Sequence, residues 1–241
     1  MTEAEWLECN DPTTMLEFLR GKASDRKFRL FASAICGGVD LVERHADGNA
    51  SDEELEEASL DYCRGEFGAK YFWGTALTDA CKRNIAEAVY EVVRLVEEGD
   101  SSWYKDERPS YAHDNRGRDT KYNVGLVHCV FGPLVFRPVF IDHTWLTSTV
   151  RSVAQAAYDN RTRPSGDLGP SRSAVWAIDP GWIRQWGPPS GELDAERLAV
   201  LSDALEDAGC GDADILGHLR SPGPHVPGCW ALDRILGNES I

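Results

Sequence analysis

The sequence lacks several things, and each absence narrows what the chain can be. No apolar run approaches the roughly 20 residues of a membrane-spanning helix; the stretch from Leu126 to Val135 falls far short. Positive charge is scarce. Against 40 Asp and Glu stand 25 Lys and Arg, for a net charge of −15. Most of such a surface would repel a polyanion, so general nucleic-acid binding is not expected. Only Lys105 to Lys121 is locally rich in basic residues, and its own acidic residues make it mixed. Met1-Thr2-Glu3-Ala4-Glu5 is acidic where a signal peptide would be basic, which predicts a soluble cytoplasmic protein. Seven scattered cysteines do not make a disulfide framework. Cys36, Cys63 and Cys81 lie among apolar residues and read as buried, reduced thiols. There is no P-loop, dinucleotide fingerprint or serine-hydrolase elbow, and no Glu-x-x-His pair for a di-iron bundle. No catalytic residue is assigned.

What is present is helical punctuation. Thr2-Glu3-Ala4-Glu5 and Ser51-Asp52-Glu53-Glu54 have capping-box spacing, and Asp11-Pro12 places a cap before a proline suited to the first helical turn. From Asp25 to His45 the apolar residues keep helical spacing, and Gly37-Gly38 weakens that run and marks a kink or a close helix crossing within it. Helices are predicted over 71–98 and 120–130, and again after a cap at Thr147. The last long one opens at Asp194, presents Leu198, Leu201, Leu205 and Ala208 on one face, and stops at Gly209. The expectation is a mainly α fold: an irregular bundle of roughly eight helices with long irregular connections. Residues 1–98 form an amino-terminal helical region, 99–119 a linker or mobile loop, and 120–241 a carboxy-terminal helical region. An irregular insertion covers 160–190, and the whole could be one compact domain.

The candidate chemistry lies near the end of the chain. Cys210, His218, His225 and Cys229 are the residue types that hold tetrahedral zinc, and Asp214 stands where it could orient the His218 ring. Their spacings lack the close ligand pairs of a zinc finger. Two other readings stay open: His225 capping the turn at Pro222-Gly223-Pro224 with both cysteines simply buried, or Cys229 or Cys210 acting as a thiol nucleophile activated by His225 or His218.

Both ends of the chain carry longer recognisable stretches. These are Met1 to Leu7, Met15 to Ala32, Trp145-Leu146-Thr147, the helix Leu198 to Cys210, Asp214-Ile215-Leu216, Gly223-Pro224-His225-Val226 and Gly228-Cys229-Trp230. In these the chain resembles an uncharacterised, paralogous bacterial family of planctomycete type. The resemblance implies no activity, cofactor or catalytic residue. The chain departs from the family pattern at Ser33 to Gly38, where paired cysteines and arginines are usual, and at 162–188, which reads as an insertion. The expected function is therefore a non-enzymatic helical domain that contacts a protein partner, with a structural zinc site as the alternative.

Overall fold

A computed structural model describes residues 1–35, 39–57, 85, 89, 120–161 and 192–238. Among them the fold is mainly α and contains no strand, as the periodicity predicts. The expected linker 99–119, most of the 160–190 insertion, and Cys36, Cys63 and Cys81 lie outside the described residues. Of the helix expected over 71–98, Ile85 and Val89 are described, and both are helical and fully buried.

The amino-terminal helices begin where local chemistry says they should. In α1 (Glu3–Glu8) the Thr2 hydroxyl accepts from the Glu5 N–H at 3.3 Å, while the Glu5 carboxylate accepts from the Thr2 N–H at 2.7 Å. That exchange satisfies two donors the first helical turn would otherwise leave unpaired. Asp11 caps α2 (Pro12–Leu19) through the Thr13 N–H. The next apolar run forms two helices rather than one kinked helix: α3 (Asp25–Ile35) and α4 (Asp40–Ala46). Ser33 holds the break. Its hydroxyl accepts from the Val39 N–H at 2.7 Å and bonds the buried Glu43 carboxylate at 2.8 Å.

The second half follows the same logic. Helix α5 (Thr120–Phe131) packs on α2 and α3. It ends at Gly132, whose φ of +54° turns the chain into the proline-bounded segment that follows. A single 3-10 turn at His143–Trp145 precedes α6 (Ser148–Asp159), capped by Thr147 as expected. Asp194 caps α7 (Ala195–Asp207) by accepting from the Glu196 and Arg197 N–H groups. Gly209, at φ +92°, ends it. Helices α8 (Ala213–Leu219) and α9 (Trp230–Leu236) are the last described.

One apolar core joins all of these. Leu198, Leu201 and Leu205 of α7 are fully buried, as are Val150, Ala154 and Ala157 of α6, which packs on it. Each such leucine or valine contributes about 1.5–3 kcal/mol by leaving water, and each alanine methyl less. Inside the core edge lies a charged cluster. Arg26 bonds both Asp47 and Asp233, Lys27 bonds Asp233, and the Tyr158 hydroxyl donates to Asp47 at 2.6 Å. It ties α3 and the end of α4 to α6 and α9. Removing one member of such a buried pair typically costs about 3–5 kcal/mol, because the remaining charge is left uncompensated.

Candidate metal centre

The segment between α8 and α9 contains three prolines and two glycines, so it cannot continue either helix. It turns instead, with Gly223 at φ +92° and Gly228 at φ +84°. Its shape is fixed by backbone bonds: Leu193 N–H to His225 O at 2.8 Å, Cys229 N–H to Val226 O at 3.0 Å, and Asp233 N–H to Cys229 O at 2.9 Å. Helix α5 gives this loop a place to lie. A Cβ on Gly125 would stand 2.7 Å from Pro224 Cδ, and one on Gly132 would stand 2.4 Å from the Trp230 ring. Residues 125, 129 and 132 fall on one helical face. Gly125 lets the loop and Gly132 the first residue of α9 approach closely, and Cys129 lies between them.

Four side chains converge as a result. The ligand atoms of Cys129, His218, His225 and Cys229 all lie within 4.8 Å of one another. Tetrahedral zinc, with bonds near 2.0–2.3 Å, separates its ligand atoms by roughly 3.3–3.8 Å. The group is therefore within about an ångström of that geometry. Cys129 and Cys229 are 1% exposed and His225 2%.

The hydrogen bonds decide which atoms face inward. His218 Nε2 lies 3.2 Å from Cys229 Sγ. His225 Nε2 lies 2.9 Å from the Ser221 carbonyl oxygen and therefore carries the proton. Its Nδ1 is left buried, in a ring that lies against Cys229, and no atom meets it in hydrogen-bond geometry. A buried acceptor in that condition is costly, and a cation beside it would remove the cost. The Nε2–H to carbonyl bond is the kind of outer contact that fixes the tautomer of a metal-bound histidine.

The thiols are electrostatically unequal. Burial opposes ionisation of Cys229, but the Cys129 thiol and the two histidines outweigh it and bring Cys229 well below the ordinary thiol range. Burial and the neighbouring Cys229 push Cys129 well above that range. Burial also lowers His128, next to Cys129, with a further contribution from His218. For His225, burial works against the charge, yet proximity to Cys229 raises its pKa overall.

No family model, no curated protein and no solved structure matches the chain.

Of the four residues singled out in sequence, His218, His225 and Cys229 are brought together and Cys210 is not among them. Cys210 sits just past the end of α7, its N–H bonded to Leu205 O and its sulfur beside the Asp212 backbone. Cys129 takes the fourth place. Asp214 does not orient His218; its carboxylate is held by Arg137, which also binds Glu3 of α1. The outer contacts that sequence reasoning missed are Ser221, at His225, and the Val226 backbone, which bonds the Cys129 sulfur.

Among the described residues, no helix is long and apolar enough to cross a membrane.

Proposed function

We propose that Cys129, His218, His225 and Cys229 bind one zinc ion whose role is structural. The observation that carries this is the convergence of two sulfurs and two imidazoles within 4.8 Å. The donor set is soft and mixed, which suits zinc over oxygen-seeking cations such as magnesium or calcium. All four positions are filled by protein, leaving no open coordination place for a substrate. A thiol nucleophile fits less well, because Cys229 is buried rather than presented to solvent. The ion would fasten the loop between α8 and α9 to α5, closing the carboxy-terminal part of the bundle onto its centre.

The test is thermal. Protein stripped by a chelator is expected to melt at a lower temperature and to recover on adding zinc. With free zinc a thousandfold above Kd the gain is about 4 kcal/mol. Identical melting with and without zinc would contradict the proposal.

A second reading concerns what the domain does once folded. Among the described residues three large apolar side chains remain in solvent, and two of them, Leu7 at 69% and Phe140 at 76% exposure, are the most exposed. They support contact with a protein partner, and the free cysteines Cys9, Cys129, Cys210 and Cys229 support a reducing compartment such as the cytoplasm. If that reading holds, replacing both by Ser abolishes association with the partner without altering the melting temperature.

A further inference from the structure

Lys27 is 2% exposed, and nothing in helix packing alone requires a lysine there. Its ammonium donates to the Gly228 carbonyl oxygen at 2.6 Å and to Asp233 Oδ2 at 2.6 Å. Arg26 grips the same Asp233 carboxylate at 2.7 and 3.3 Å, so the acceptor is itself immobilised. One turn along α3, Leu30 packs so tightly on Gly228 that a Cβ there would stand 2.8 Å from Leu30 Cδ1. One face of α3 thus holds the peptide that leads directly into Cys229. From the other side, the Cys229 carbonyl accepts from the Asp233 N–H. Asp233 therefore grips Lys27 by its side chain and Cys229 by its backbone.

Resting on the zinc reading above, we propose that Lys27 is a positioning residue of the metal centre. It does not touch the ion. It fixes the Gly228–Cys229 peptide so that the Cys229 sulfur points at the other three ligands. The role is specific to an ammonium on a stem of this length: an apolar stem would fill the space but leave the Gly228 carbonyl without its donor.

The experiment compares full-length wild type with Lys27→Met by competition for zinc against a chromophoric chelator. Cobalt spectra of both proteins accompany it. Lys27→Met is expected to bind one zinc with affinity weakened roughly 10- to 100-fold, the usual cost of losing an outer-shell partner. Its thiolate-to-cobalt absorption should also be altered. Thr2→Ala, which weakens the fold only by uncapping α1, should leave affinity and spectrum unchanged. Equal affinity in wild type and Lys27→Met overturns the role given to Lys27 and leaves the metal centre standing. Failure of the wild type itself to take up zinc overturns the metal centre, and this role with it. If Lys27→Met does not fold, wild-type protein labelled with 15N-lysine supplies the answer. One solvent-protected ammonium resonance should move on addition of one equivalent of zinc, and its failure to move overturns the proposal.

Discussion

His218 Nε2 lies 3.2 Å from Cys229 Sγ, across an eleven-residue step that no helix could bridge. The proline- and glycine-bearing loop between them makes the contact possible, and helix α5 receives that loop on a face kept clear by Gly125 and Gly132.

The clearance at Gly132 has a measurable consequence. Gly132→Ala combines a positive φ with a Cβ driven into the Trp230 ring, and is expected to cost more than about 1 kcal/mol. Gly209→Ala has the positive φ but open space around it, so its cost should be smaller. Gly211→Ala has neither and should be nearly neutral. Urea midpoints for the three variants test the order.

Helix α7 depends on its cap. Asp194→Ala removes the acceptor for two N–H groups of the first turn, and should destabilise the protein by about 0.5–2 kcal/mol. Asn at the same position retains the acceptor and should recover most of the loss. Chemical denaturation of both variants checks this.

Tyr158 predicts a pH dependence. Burial, and then the Asp47 carboxylate beside it, raises the phenol above its ordinary value. Between that ordinary value, near 10, and the raised folded one, the unfolded chain loses the proton and the folded chain keeps it. Stability therefore falls as pH rises through that window. Tyr158→Phe should flatten the fall above about pH 10, since it removes the titrating group. At neutral pH it should cost about 1.5–3 kcal/mol for the lost bond to a carboxylate. Unchanged alkaline slopes in wild type and variant would contradict the assignment.

The parts of the fold legible in sequence are those decided within a few residues. The Thr2–Glu5 exchange, the Asp11-Pro12 start, the Thr147 and Asp194 caps and the Gly209 stop all depend on side chains near their own backbone. The break between α3 and α4 is not decided locally. The apolar periodicity runs across it, and its hydrogen bonds come from Ser33 and Glu43, whose meeting depends on how the two helices pack. For the candidate site, three members lie between 218 and 229, in the last turn of α8 and the loop after it, and the composition of that stretch exposes them. The fourth does not. Cys210 is near in sequence and Cys129 is far, yet tertiary packing brings Cys129 in and leaves Cys210 beside Asp212. A trace of this was present in the Gly125, Cys129, Gly132 spacing, which marks a narrow helix face where another segment can approach. Asp214 shows the converse: its position suited His218, but Arg137 claims the carboxylate.

Elemental analysis of full-length protein purified without a chelating tag tests the central claim most directly, with Cys129→Ser and Cys210→Ser beside the wild type. The account predicts zinc in equal proportion to chain for the wild type and for Cys210→Ser, and its loss from Cys129→Ser. Zinc retained by Cys129→Ser, or lacking in the wild type, would contradict it.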